Sequence, residues 1–366
     1  MLTKFKVENF KNFKNQFVFN FTQSNYEFSS EAVKDGVVNK GIVFGHNGCG
    51  KSNLGLALFD IVLHLTDKEK MIGRYPVYLN LNSNKKYASF EYDFLFEGQE
   101  VVYQYTKFDF QVLRTEKLII NGETVVEYDY TTEKGFSNLD GTQTLRINSP
   151  DSKLSKLKFI RNNAILADNQ TNHLFELLMD YVDRMLLFYS LGDNGYQGFE
   201  LGGESLDDVI VRSGKLKQFE RFLHKAEIQE HLESQEINGK YIILFKYKNG
   251  SIPFAQAASR GTHSLELFYF WYLRLTKASF VFIDEYDAFY HFELSEMIVK
   301  ELLKLHDQQI VLTTHNTDLL SNDLLRPDCY FVMTAESISS LDEKTSKELR
   351  KAHNLQKMYK AGAFDE

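Results

Sequence analysis

The chain has 366 residues, 43% of them apolar and 14% aromatic, which suffices for a sizeable core and suggests two or three lobes rather than one small domain. A formal net charge of −8 excludes the overall positive field of a dedicated nucleic-acid binder, and two cysteines, Cys49 and Cys329, exclude a disulfide framework. No apolar run has membrane-spanning length and the opening MLTKFKVENF lacks the apolar core of a signal peptide, so a cytoplasmic protein with no membrane partner is expected.

The first elements read as strands. Phe5 and Val7 alternate with lysines and Glu8, and Phe17, Phe19 and Phe21 alternate again. Gly41–Phe44 is a short apolar run that ends at a glycine loop, and Asn53–Leu65 continues with helical spacing. Residues 87–130 read as antiparallel hairpins: Ala88–Phe96 and Glu100–Phe108 flank Glu97–Gly98, and a second pair flanks Asn121–Gly122, where both central residues tolerate positive φ. From about 152 to 225 the spacing is helical, with Leu174, Leu177, Leu178, Tyr181 and Met185 recurring on one face. A β return is expected at Gly239–Tyr247. The last third alternates: a helix at His263–Thr276, a buried strand at Phe280–Ile283, a helix at Leu294–Leu305, and strands at Ile310–Thr313 and Tyr330–Met333. Such βα alternation implies a mainly parallel sheet covered on both faces.

Three segments carry chemistry. Gly45-His46-Asn47-Gly48-Cys49-Gly50-Lys51-Ser52 matches G-x-x-x-x-G-K-[ST] between a strand and a helix. Glycines let backbone N–H groups turn around a phosphate, Lys51 reaches the terminal phosphates, and Ser52 offers a hydroxyl to Mg²⁺. Gly45, Asn47, Gly48, Cys49, Gly50, Lys51, Ser52 and Asn53 are the expected ATP contacts. The run Phe280–Ile283 delivers Asp284 and Glu285 to the carboxyl edge of a sheet, the first to hold Mg²⁺ and the second to polarise the attacking water. Ile310–Thr314 delivers His315 one strand later, as a γ-phosphate contact. Cofactors expected are ATP and Mg²⁺; His46 and His291 have no metal-ligand partners by spacing, and no zinc is assigned.

This order of motifs resembles the ATPase heads of the ABC class, in the SMC-like and abortive-infection-type group outside membrane transporters. The resemblance implies an α/β fold: an ABC-type P-loop head, with a mixed sheet plus an antiparallel β lobe, and a mostly helical inserted lobe. The domain plan is then 1–60 for the first part of the head, 61–150 for the β lobe, 151–235 for the helical lobe and 236–366 for the rest of the head. In that family a signature segment precedes the acidic strand; Ala258-Ser259-Arg260-Gly261-Thr262 is similar to it, with Arg260 a departure. The resemblance implies that Ser259, Gly261 and Thr262 contact ATP held by a second copy, that the protein forms a homodimer or a higher homo-oligomer, and that Asp287 lies in the dimer-contact loop. Gln170 is the candidate for the polar loop linking head to helical lobe. The ends, Phe5–Phe13 and Leu349–Phe364, resemble compact phage-defence ATPases of the RloA and AbiL type, which implies control of a separately encoded effector, toxin or nuclease.

The alternative is an SMC-like DNA-binding or repair ATPase that clamps nucleic acid. Glycines at 192, 195, 198, 202 and 203 interrupt the long insertion and argue against a long coiled coil. The segment after His315 is too short for a Toprim nuclease domain, and Asp342–Glu343 and Asp365–Glu366 read as solvated acids. Lys153–Arg161 and Lys215–Lys225 fit amphipathic helices with solvated lysines rather than a nucleic-acid groove.

Overall fold

The computed structural model describes residues 1–68, 72–148, 154–190, 195–198 and 205–364. Lys153, Gly192, Gly202, Gly203, Asp365 and Glu366 lie outside them. The chain divides into two compact units: one of Met1–Phe199, Ala278–Tyr286 and His306–Glu366, the other of Glu200–Lys277 and Asp287–Leu305.

The first unit holds two seven-stranded sheets. In one, the strands Leu186–Tyr189, Phe280–Asp284, Gln309–Thr314, Lys40–Phe44 and Tyr330–Met333 run parallel in that spatial order, and Gly195–Gly198 and Ile338–Ser340 close its two edges antiparallel. The phosphate-loop, acidic and Gln309–Thr314 strands are buried at every residue, as a sheet covered on both faces requires. The other sheet is antiparallel throughout and includes Leu2–Glu8, Ala88–Phe96, Gln99–Lys107 and Leu113–Ile120. Its strand Ala88–Phe96 is fully buried at every second residue, so one face meets the core. Asn121 and Gly122 take φ of 50° and 82°, as the expected hairpin needs. Aromatic side chains join the sheets: Phe19 meets Phe331 edge-on at 4.9 Å, and Phe21 meets Phe280 at 6.3 Å. The buried Gln309 amide receives Leu2 N at 3.0 Å and donates to Leu2 O at 2.8 Å and Val38 O at 3.1 Å, tying the antiparallel sheet to the parallel one.

The helix expected over Asn53–Leu65 is two, Lys51–Leu58 and Asp60–Leu65, broken at Phe59. The side chain of Asp60 comes directly after the break. It is fully buried, pairs with Lys107 Nζ at 2.8 Å, and accepts from Tyr78 and Tyr105 at 2.9 Å each. A buried carboxylate is tolerated only when so paired.

The helical reading of 152–225 also needs correction. Helices occupy Lys156–Asn163 and Gln170–Asp183, but Met185 lies beyond the second, and Leu186–Tyr189 is a strand of the parallel sheet. A four-residue apolar strand directly after a helix continues the helical spacing of its leucines and tyrosine, so periodicity cannot separate them. Residues 154–190 belong to the first unit, and the two compact units divide the chain at other positions than the four segments of the domain plan.

The second unit contains the helices Leu206–Arg212, Leu216–Lys225, Arg260–Leu275 and Phe292–Leu302, with a three-stranded antiparallel sheet of His231–Ile237, Lys240–Tyr247 and Gly250–Pro253. Leu216–Lys225 buries Phe219, Phe222 and Leu223 and leaves its lysines to solvent, in line with the amphipathic reading, whereas in Lys156–Asn163 that reading fails at Lys156, which is buried with its Nζ 4.3 Å from the Tyr128 ring. The architecture has the parts expected of the fold class: a mixed sheet with the phosphate loop, an antiparallel β lobe and a mostly helical insertion. Among the described residues no helix is long and apolar enough to cross a membrane.

Candidate nucleotide site

The glycine loop joins the strand Lys40–Phe44 to the helix Lys51–Leu58 at the carboxyl edge of the parallel sheet. Gly48 and Gly50 have φ of 80° and 106°, a region that side chains rarely adopt. At Gly45 a Cβ would lie 2.6 Å from Cys49 Sγ and 2.7 Å from Met333 O, so the loop packs too tightly for any side chain there. Behind the loop, a Cβ on Gly55 would meet the Phe282 ring at 2.9 Å, which shows how closely the helix lies on the acidic strand.

Lys51 Nζ donates to Gly45 O at 2.9 Å and lies 3.0 Å from His315 Nε2. An ammonium can only donate, so the imidazole meets it with a lone pair. Ser52 Oγ donates to Asp284 Oδ2 at 2.5 Å, and Thr313 Oγ1 donates to Asp284 Oδ1 at 2.8 Å. Burial holds the Asp284 carboxyl above its usual range; the two hydroxyl hydrogen bonds oppose that shift, and the Glu285 charge adds to it. Glu285 comes next with φ 48°, a left-handed conformation costly for a side-chain-bearing residue, and its N–H donates to Thr313 Oγ1 at 2.8 Å. Its Oε1 lies 3.4 Å from His315 Nε2. Lys51, Ser52, Asp284, Glu285 and His315, up to 264 positions apart, thus form one connected cluster.

The donor set suits a triphosphate and Mg²⁺. The helix start, which no side chain caps, presents backbone N–H groups of the kind that bind an anion, and Ser52 with Asp284 offers the hard oxygens that Mg²⁺ prefers.

Asn53 Nδ2 donates to Asn12 Oδ1 at 2.7 Å. Sequence reasoning passed over Asn12, whose amide would meet a Cβ on Gly50 at 2.5 Å and whose Nδ2 is buried with no hydrogen-bond partner among the described residues. Thr313 was also missed as a site residue; a hydroxyl ending a buried strand was its only signal. Tyr189, in register with Asp284, carries the Arg74 guanidinium 3.9 Å above its ring, and Ser190 N donates to Asp284 O at 3.2 Å. Gln170 is not brought to the cluster. It opens the helix Gln170–Asp183, capped by Asn169, and His173 on the same turn lies 3.4 Å from Glu97 at the hairpin end of Ala88–Phe96. Asn12 lies past the other end of the neighbouring strand Leu2–Glu8, which is about 20 Å long.

In the second unit, Ser259 caps the helix Arg260–Leu275. Its Oγ accepts from Thr262 N at 3.1 Å and lies 2.8 Å from Thr262 Oγ1. A Cβ on Gly261 would come within 3.4 Å of Phe289 O. Asp287 O accepts from Tyr290 N at 3.0 Å, closing the turn after Tyr286.

Fold and site together define a phosphate-loop nucleotide-binding protein of the α/β class. The sequence profile of the family described as "AAA domain, putative AbiEii toxin, Type IV TA system" matches residues 42–321, and the chain belongs to that family. Curated protein sequences give no match. Among solved structures the chain is similar to the SMC head domain from Thermotoga maritima, at 15% identity and TM-score 0.46 over 93% of this chain and 99% of that one. It is similar at 15% identity and TM-score 0.47 to an SMC head bound to the C-winged helix domain of ScpA, over 93% of this chain and 97% of that one. An SMC head with an extended coiled coil, bound to the C-terminal domain of ScpA from Pyrococcus furiosus, gives 14% identity and TM-score 0.46 over 93% and 96%.

Proposed function

We propose that the protein binds and hydrolyses ATP with Mg²⁺ in the cytoplasm, as an ABC-type nucleotide-driven switch that dimerises head to tail. The switch controls a separately encoded effector, a toxin or nuclease, in bacterial anti-phage defence of the RloA and AbiL kind. The observation that carries the reading is the cluster of ammonium, hydroxyl, buried carboxylate, second carboxylate and imidazole around one glycine loop. A family description that refers to a toxin–antitoxin system supports the defence role.

Lys51 exchanges its carbonyl partner in the loop for the terminal phosphates, and Ser52 and Asp284 would hold the cation. There the cation would supply charge neutralisation to the phosphates. Glu285 orients the attacking water and accepts its proton; its strained backbone fixes the carboxylate beside His315, which faces the γ-phosphate. Ser259, Gly261 and Thr262 from a second copy complete the phosphate contacts at a helix start, with Asp287 at the dimer contact.

Glu285→Gln is expected to lower turnover by about 10²–10⁴-fold while sparing ATP binding, and with ATP and Mg²⁺ to double the mass seen by light scattering. Lys51→Ala should abolish ATP binding. An unchanged mass at saturating nucleotide would remove the dimeric switch, and ATP-stimulated, salt-sensitive retention of DNA would favour the nucleic-acid clamp instead.

A further inference from the structure

We propose that the second unit carries a zinc site formed by Glu220, His224 and His231, independent of the nucleotide cluster. Glu220 and His224 are four residues apart on the helix Leu216–Lys225 and so share a face. The helix ends in a reversal: Glu227 N donates to His224 O at 3.1 Å, Ile228 N donates to Leu223 O at 3.0 Å, and Glu227 has φ 63°. This is a Schellman motif with glutamate at the left-handed position where glycine is usual. It sends the chain back as the strand His231–Ile237, and its first residue arrives beside the helix, with His231 Nδ1 3.9 Å from Glu220 Oε1. One ligand atom from each of the three residues lies within 4.8 Å of the others.

The surroundings prepare these groups for a cation. Glu220 is buried, and its Oε2 accepts from Leu232 N at 2.5 Å, which fixes the carboxylate plane. His224 Nε2 lies 3.2 Å from Glu230 O. A carbonyl only accepts, so Nε2 carries the hydrogen and the neutral ring keeps its lone pair on Nδ1, the second-sphere arrangement common to metal-binding histidines. Two imidazoles and a carboxylate select Zn²⁺ over Mg²⁺ and leave a fourth position for water. Ligands of a tetrahedral zinc stand about 3.4 Å apart. The cluster must therefore tighten by up to about 1.4 Å, to which rotation of the exposed His231 side chain contributes. The competitor is Lys217, whose Nζ lies 3.3 Å from Glu220 Oε1; its side chain is 75% exposed, so a weak surface pair is all that holds it. Bound zinc would pin the start of the three-stranded sheet to the helix.

The test uses the full chain, untagged and nucleotide-free, with Co²⁺ as the optical probe and Zn²⁺ as competitor. One Co²⁺ per chain is expected, with tetrahedral-type visible absorption that Zn²⁺ bleaches and a large excess of Mg²⁺ does not. His231→Ala, on an exposed side chain, should weaken binding by about 100-fold or more, and His224→Ala likewise. Lys217→Met should tighten it, because it removes the competing ammonium. No visible band, a band that survives His231→Ala, or weaker binding in Lys217→Met would overturn the proposal, each without reference to ATP turnover.

Discussion

Asp60 in the first unit and Glu266 in the second are both buried carboxyl groups, and the two units neutralise them in opposite ways. Asp60 is met by an ammonium and two phenols drawn from the antiparallel sheet and the segment before it, so its charge is compensated by partners. Glu266 meets burial first and the Asp207 carboxyl second, and its pKa is pushed up to about 9, so at neutral pH it is compensated by a proton. The same unit that pairs Asp60 also keeps His64 neutral: burial first, and then the Lys107 charge, hold its pKa well below the usual range. Lys107 reaches Asp60 from a strand of the antiparallel sheet, whereas Glu266 faces the Asp207 carboxyl and, at 3.5 Å, the His263 imidazole.

The largest test of this contrast is Lys107→Met. It strands a fully buried carboxylate and should cost about 3–5 kcal/mol in denaturant unfolding; a loss below about 1 kcal/mol would mean that the Lys107 ammonium is not what compensates Asp60. Next is Glu266→Gln. Between pH 4.5 and about 9 the folded wild type holds a proton that the unfolded chain has released, so its stability falls as pH rises, by up to about 1.4 kcal/mol per pH unit. The variant should lose that alkaline slope, read by hydrogen exchange on peptides of the second unit. The first unit should respond at the other end. Below pH about 6.5 the unfolded chain protonates His64 and the folded one refuses, so stability falls with acid over that window. His64→Gln should flatten the acid slope on first-unit peptides alone; an equal flattening in both units would erase the distinction. The smallest effect is Glu227→Gly, which relieves a left-handed residue and should add about 0.5–1 kcal/mol to the second unit.

The features legible in the sequence were the local ones. The glycine loop, the acidic strand and the hairpin at Asn121–Gly122 announce themselves because the chemistry and the backbone conformation belong to neighbouring residues. The break at Phe59 was hidden, since its accompanying ion pair reaches Lys107. Asn12 carries no motif, and only folding sets its amide against Gly50 and Asn53. Leu186–Tyr189 was hidden by a helix whose spacing it happens to extend. His231 fell outside the segment read for its lysines, so the histidine pair was invisible until the reversal at Glu227 brought the strand back.

The parallel sheet is assembled from strands scattered along the chain. The phosphate-loop strand Lys40–Phe44 pairs on one side with Gln309–Thr314 and on the other with Tyr330–Met333. A ribosome therefore releases the apolar KGIVF segment long before either neighbour exists, by roughly 15–60 s at usual elongation rates of about 5–20 residues per second. During that interval both edges of the segment are open to wrong pairing. Synthesis is then a stage at which this strand is open to mispairing, and holding chaperones should matter most to nascent chains stalled between Phe44 and Gln309.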